Sequence, residues 1–265
     1  MRISMRAEKA IEWLKLAQNP DGGIAAWLDG EHRHKSYPEV TGYLIPTLLA
    51  YGEIEMAKKC AEWLASIQNS NGSFDGIDGI QRTFDSGAIM EGFTALGMEW
   101  ERVQVRDWID LQRNKNHFLK VQPDQERTEF YTMRVEGLLG NQDALKLWSV
   151  ETWFTNGRQR THYLAYGLEG MHALGADITE WLDKLPAGGI VPSYVDSNWK
   201  SLGGSDTTAT AQIGVLRLKC GLPFDPSALY ALQLPNGGLP HDTGDSRQIS
   251  WAAKYFLDLE RITNE

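Results

Sequence analysis

Three copies of one short segment punctuate the chain: Gln18-Asn19-Pro20-Asp21-Gly22-Gly23, Gln68-Asn69-Ser70-Asn71-Gly72-Ser73 and Gln233-Leu234-Pro235-Asn236-Gly237-Gly238. Each follows an apolar helical stretch. In the first two copies a Trp-Leu pair, Trp13-Leu14 or Trp63-Leu64, stands four to five residues before the glutamine. The repeating unit is therefore a helix, its stop and a turn, and so regular a recurrence predicts an array of helical hairpins.

The helical segments between the turns fall into two kinds. One is amphipathic with a charged side, over roughly 5–17, 53–67, 100–113, 142–153, 177–184 and 225–233, and is expected on the outside. The other is poor in charge and rich in small residues, as in 40–50, 86–96 and 207–216, with further examples beginning near Glu129, Thr161 and Ser246. A helix with little charge on any face must be surrounded by protein, which assigns these six to an inner ring. Their glycines and Pro46 weaken an isolated helix, so close packing is expected to compensate. The inner starts Glu39, Asp85, Glu129, His162, Asp206 and Arg247 are spaced by 46, 44, 33, 44 and 41 residues. Short connections make neighbours antiparallel, so all six inner N-termini are expected at one mouth. With no linker or composition break, 1–265 reads as a single domain. The irregular stretch 186–205 is expected to add a small hairpin or lid.

Composition closes off several function classes. The net charge of −9 without a block of like charge argues against nucleic acid and against a basic membrane-surface face. No apolar run approaches bilayer length, and the first residues lack the apolar core of a signal peptide, so a cytoplasmic protein without a membrane span is expected. Cys60 and Cys220 have no paired spacing and read as ordinary buried thiols. The oligomeric state is left open, and neither a metal nor a cofactor is expected. His32-Arg33-His34 lacks a third ligand at defined spacing.

The stretch Ala-x-x-Trp-Leu-x-x-x-Gln-x-x-Asp/Asn-Gly-Gly/Ser resembles the Gln-Trp type repeat of squalene and hopene cyclases and the related prenyltransferase subunits. It is seen over 11–27, over 61–74 and in weaker form over 229–239. The resemblance implies an all-α fold, a single (α/α)6 toroid of six inner and six outer helices. Toroids of that kind also carry polysaccharide lyases, glycoside hydrolases and sugar epimerases. The chain lacks the acidic Asp-x-Asp-Asp run of the resembled cyclases, its nearest cluster being His241-Asp242-Thr243-Gly244-Asp245, and it lacks the spaced Asp, Cys and His ligands of a protein prenyltransferase.

Chemistry-bearing side chains gather at the predicted inner-helix starts. Glu39, Asp85, Asp206 and Glu129 are the candidate acids and bases, since carboxyls crowded in a desolvated place acquire separated pKa values and so divide the roles of acid and base. Tyr37, Tyr43, Arg127, Arg160, His162, Asp242, Asp245, Arg247 and Trp251 are candidate substrate-binding residues, the cations for an anionic group and the aromatics for stacking on sugar rings. For Asp85 and Asp206 the competing role is plain helix capping. Glu39, a poor cap that follows Pro38, is the leading catalytic candidate. The leading expectation is a carbohydrate-active enzyme working by hydrolysis, elimination or epimerisation on a small-molecule or oligosaccharide substrate. A terpenoid-cyclase-like or prenyltransferase-like protein with an apolar cavity, and a non-catalytic glycan or protein receptor, stand as alternatives.

Overall fold

The computed structural model describes residues 3–113, 129–154 and 156–264. They fall into two compact units, one of Glu12–Lys120 and one of Met1–Ile11 with Val121–Glu265. The helices are α1 (Met5–Ala17), α2 (Pro38–Ala50), α3 (Ile54–Ile67), α4 (Thr83–Leu96), α5 (Glu99–Leu111), α6 (Glu129–Leu139), α7 (Thr161–Ala173), α8 (Thr179–Leu182), α9 (Thr207–Lys219), α10 (Ser227–Tyr230) and α11 (Ser250–Thr263).

The recurrent turn is a joint between successive outer elements. In each copy the glutamine side-chain amide donates to the carbonyl of the turn glycine: Gln18 to Gly22 (2.9 Å), Gln68 to Gly72 (3.2 Å) and Gln233 to Gly237 (3.2 Å). The same amide reaches the next outer helix at its first turns, Gln18 to Met56 of α3, Gln68 to Glu101 of α5 and Gln233 to Arg6 of α1. Asp21, Asn71 and Asn236 close each turn by accepting from the backbone N–H two residues on. Gly22, Gly72 and Gly237 have φ of 101°, 88° and 93°, and a Cβ on them would stand 2.7, 2.2 and 1.9 Å from the carbonyl oxygens of Lys59, Gln104 and Lys9. Only glycine satisfies both the backbone angle and the contact, which is why the motif is spelled alike three times.

The two kinds of helix separate as their composition dictates. Helix α3 buries one stripe, Met56, Ala57, Cys60, Ala61 and Leu64, at helical spacing. In α9 every residue from Thr207 to Arg217 is buried, and α2 and α4 are buried over nearly their whole lengths. Small residues let the inner helices touch. A Cβ on Gly42 of α2 would come 2.5 Å from Ile89 Cα, and one on Gly92 of α4 would come 2.5 Å from the Gly42 carbonyl oxygen. In the other unit Gly170 of α7 lies against the Met133 carbonyl of α6, and Gly137 lies against Gly170. The core of that unit gathers Phe130, Met133, Trp153, Leu164, Leu168 and Ile213, where each fully buried large side chain is worth about 1.5–3 kcal/mol.

The outer layer of the second unit departs from expectation. The helix expected over 142–153 is two short 3-10 turns, Gln142–Lys146 and Val150–Trp153. The Asn141 side chain accepts from the Asp143 N–H and the Thr152 hydroxyl donates to the Ser149 carbonyl, local bonds that compete with a continuous helical ladder. Helices α8 and α10 are four residues each, shorter than the segments 177–184 and 225–233, and Asp177 and Asp225 fix their entries. The extended pieces are also short: Trp27–Asp29 pairs antiparallel with His32–Arg33, and Tyr194–Asp196 with Arg158–Arg160. The irregular stretch 186–205 contains the expected small hairpin, in which the Asp196 N–H donates to the Lys200 carbonyl and the Leu202 N–H to the Tyr194 carbonyl, and its first strand also pairs with Arg158–Arg160 just before α7. Cys60 is buried as expected, whereas Cys220 is partly exposed.

Candidate active site

In the Glu12–Lys120 unit, Pro38 at the first position of α2 fixes the entry angle, and Tyr37 precedes it in extended conformation with no side-chain cap. Glu39 therefore lies in the first turn of α2, as Asp85 does in that of α4. Gly42 meets Ala88 and Ile89, and Gly92, one turn further, meets Gly42 and Ile45. The same parallel register, one turn earlier, sets Glu39 beside Asp85 and Ser86. Glu39 is 7% exposed and Asp85 3%.

Burial raises the Glu39 pKa from 4.5 to about 7, against the opposing pull of a hydrogen bond from the Tyr37 hydroxyl and of the Arg82 charge. Burial, and then the Glu39 charge, push Asp85 well above the usual carboxylate range, with Arg82 only partly offsetting them. The Tyr37 phenol is driven upward by burial and then by Glu39 and Asp85, with Tyr43 a smaller contributor, which places these four side chains in one neighbourhood. Among the described residues Asp85 Oδ2 has no hydrogen-bond partner. The cation is positioned from outside the pair: Arg82 forks onto Asp78 through two bonds of 2.7 Å, and this holds the Asp78 carboxyl well below its usual range. Gly76 makes room for the group, since a Cβ there would lie 2.7 Å from Asp85 Oδ2 and 2.9 Å from Arg82 Nη1.

The other unit assembles a different set. Asp206 is the N-cap of α9: its Oδ1 accepts from the Ala209 N–H at 2.8 Å, and its Oδ2 lies 3.6 Å from Arg160 Nε. Arg160 Nη2 is 2.7 Å from His241 Nε2, and the guanidinium lies over the Tyr163 ring at 5.5 Å. His162 is buried, with Nδ1 2.5 Å from Gln212 Oε1. Asp245 is gripped by Arg247, and Asp242 Oδ2 lies 3.4 Å from His241 Nδ1. Glu129 opens α6 with a buried Oε2 that has no hydrogen-bond partner among the described residues. Trp251 is half-buried near the start of α11. Arg127 lies outside the described residues.

Of the expected site residues, the structure thus groups Tyr37, Glu39, Tyr43 and Asp85 in one unit. In the other it links Arg160 to Asp206 and pairs Asp245 with Arg247. His241, Asp242 and Asp245 each offer one ligand atom within 4.8 Å of the others. Arg160 on His241 and Arg247 on Asp245 put positive charge where a metal ion would need it absent. Sequence reasoning missed Arg82, Asp78 and Gly76, and in the second unit His241, Gln212 and Glu169. Arg82 had a signal: it immediately precedes an inner helix, the position that singled out Arg160.

No family model matches the sequence, and no curated protein matches it. Solved structures match almost end to end. A novel α-amylase from Clostridium perfringens is 11% identical with a TM-score of 0.72, covering 97% of this chain and 98% of that one. A type II terpene cyclase, MstE, from Scytonema, bound to its product merosterolic acid A, is 14% identical with a TM-score of 0.66, covering 97% and 96%. A glycosidase variant in complex with glucose is 12% identical with a TM-score of 0.66, covering 98% and 96%. The chain has the all-α fold of these (α/α)6 toroid proteins. Among the described residues no helix is long and apolar enough to cross a membrane.

Proposed function

We propose that the protein is a carbohydrate-active enzyme of the hydrolase, lyase or epimerase type, acting as one domain over 1–265, with Asp85 and Glu39 as its acid and base. The observation that carries this reading is the pair of adjacent buried carboxyls in the first turns of α2 and α4, both with raised proton affinity. Asp85, held well above the usual range, keeps its proton near neutrality and is the donor to a leaving or bridging oxygen. Glu39, at about 7, is available in ionised form as the acceptor of a proton from water or from a substrate carbon or hydroxyl. Tyr37 steadies the Glu39 carboxylate by donating to it, and Arg82 limits the repulsion between the two acids.

A polyhydroxylated substrate suits this surround better than a hydrocarbon. Covering Glu39 and Asp85 with an apolar ligand would leave the Asp85 oxygen that has no hydrogen-bond partner among the described residues unsatisfied, whereas a sugar hydroxyl can donate to it or accept from it. Two of the similar structures, an α-amylase and a glycosidase, support the same direction. The second reading, isoprenoid cyclisation, is favoured by one observation: a carboxylic acid kept protonated in a dry site is also what protonates an alkene.

The test is turnover of a panel of oligosaccharides and uronates, with geranylgeranylated phenols as the competing set. Turnover of a glycan that is lost in Glu39→Gln while binding persists supports the enzyme reading. Turnover of the prenylated set alone transfers the assignment to the second reading. Binding of a glycan with no wild-type turnover makes the protein a receptor.

A further inference from the structure

Helix α7 carries two polar side chains two turns apart, His162 and Glu169, and Gln212 of α9 bridges them. Gln212 is fully buried. Its Oε1 lies 2.5 Å from His162 Nδ1, and its Nε2 donates to Glu169 Oε1 at 3.4 Å. The far end is anchored, because Glu169 Oε2 accepts from Arg134 Nε at 2.8 Å and from the Tyr255 hydroxyl at 3.2 Å. Directionality follows from donor chemistry. A carboxylate accepts only, so Gln212 must present its N–H to Glu169, and this turns its carbonyl oxygen toward the imidazole. A carbonyl oxygen also only accepts, so Nδ1 must carry the hydrogen. With a neutral ring, Nε2 is then left as a lone pair.

We propose that Glu169 and Gln212 are positioning residues that lock His162 in the Nδ1–H tautomer, so that Nε2 serves as a fixed acceptor, or base, for a hydroxyl of a bound ligand. The ring is otherwise faced by Tyr166 at 4.6 Å and Tyr163 at 5.8 Å between centroids, and Asp206 and Arg160 are near enough to act on it electrostatically in opposite senses. Burial is the larger influence and pushes the imidazole pKa down, consistent with a neutral ring. Among the described residues Nε2 makes no hydrogen bond, whereas every other polar atom of the relay is occupied. The hydroxyl donor as a sugar rests on the carbohydrate reading; the tautomer does not, and it is measured without any ligand.

The experiment is ¹⁵N NMR of the ring nitrogens in the full-length protein at pH 7, with His162 assigned by the signals missing from His162→Gln. The expected spectrum shows a protonated Nδ1 and a pyridine-type Nε2. Gln212→Leu should release the lock and give a mixture of tautomers. Gln212→Glu, isosteric and negatively charged, should hold the imidazolium to higher pH than wild type. A wild-type ring protonated at Nε2 alone, or at both nitrogens, overturns the proposal, as does an unchanged tautomer in Gln212→Leu. Should Gln212→Leu fail to fold, the wild-type spectrum and the Gln212→Glu titration decide.

Discussion

The two units give their buried carboxylates different neighbours on the same helical scaffold. In the unit of α6, α7 and α9, Glu169 accepts from Arg134, Tyr255 and Gln212, and Asp206 caps α9 with Arg160 alongside. In the unit of α2 and α4, Glu39 and Asp85 are set against each other and the nearby Arg82 is already forked onto Asp78. Among the described residues an oxygen without a hydrogen-bond partner occurs in both units, at Asp85, Asp206 and Glu129, so the difference lies in the acid–acid pairing. A matched acid holds structure together. An unmatched one is an energetic cost that folding tolerates, and such costs concentrate where chemistry is done. Asp85 and Asp206 make the contrast sharp: both stand at inner-helix starts, yet Asp206 is a cap and Asp85, in the third position of α4, is not.

This contrast breaks most directly at the catalytic step. Asp85→Asn and Glu39→Gln should each lower turnover of a glycan substrate by about 10²–10⁴-fold, the usual worth of a positioned acid or base, whereas Asp206→Asn should cost far less; steady-state kinetics on the three variants decides. The next effect is on stability in the matched unit. Glu169→Ala breaks a mostly buried ion pair with Arg134 and removes the acceptor of Tyr255 and Gln212, and should destabilise by about 3–5 kcal/mol in urea denaturation.

The unmatched pair should show the reverse sign. A folded-state carboxyl that holds its proton more tightly than the unfolded chain makes stability highest below the unfolded pKa and lower as pH rises. For Glu39 the loss should run from about pH 4.5 to about 7, amounting to at most about 3 kcal/mol, and Asp85 extends it to higher pH. Glu39→Gln and Asp85→Asn should therefore stabilise the protein at pH 8 and flatten the profile, read by thermal denaturation from pH 5 to 8. The smallest effect is the loss of a cap: Asp206→Ala should cost about 1 kcal/mol in urea denaturation.

What the sequence disclosed follows from the range of the interactions concerned. The turns were legible because Gln, Asn or Asp, and Gly are each required by bonds inside a six-residue segment, and Gly22, Gly72 and Gly237 by contacts repeated at each joint. The inner and outer helices were legible because burial is written in periodicity. The shrunken outer elements were not, since 142–153 keeps a helical pattern while Asn141 and Thr152 divert its backbone bonds. Glu39 and Asp85 emerged from their positions, but their raised proton affinities depend on a register set by Gly42 and Gly92 from separate helices. The Glu169–Gln212–His162 relay joins residues 43 and 50 positions apart in the chain and leaves no local trace.

The central claim is that Glu39 and Asp85 together retain a proton at neutral pH, and infrared spectroscopy of the carboxyl groups reads it directly. A protonated-carboxyl band should persist at pH 7 in the wild-type protein, weaken in Asp85→Asn and vanish when Glu39→Gln is combined with Asp85→Asn. If every carboxyl in the wild-type protein is ionised by pH 6, the pair holds no proton and the account is wrong.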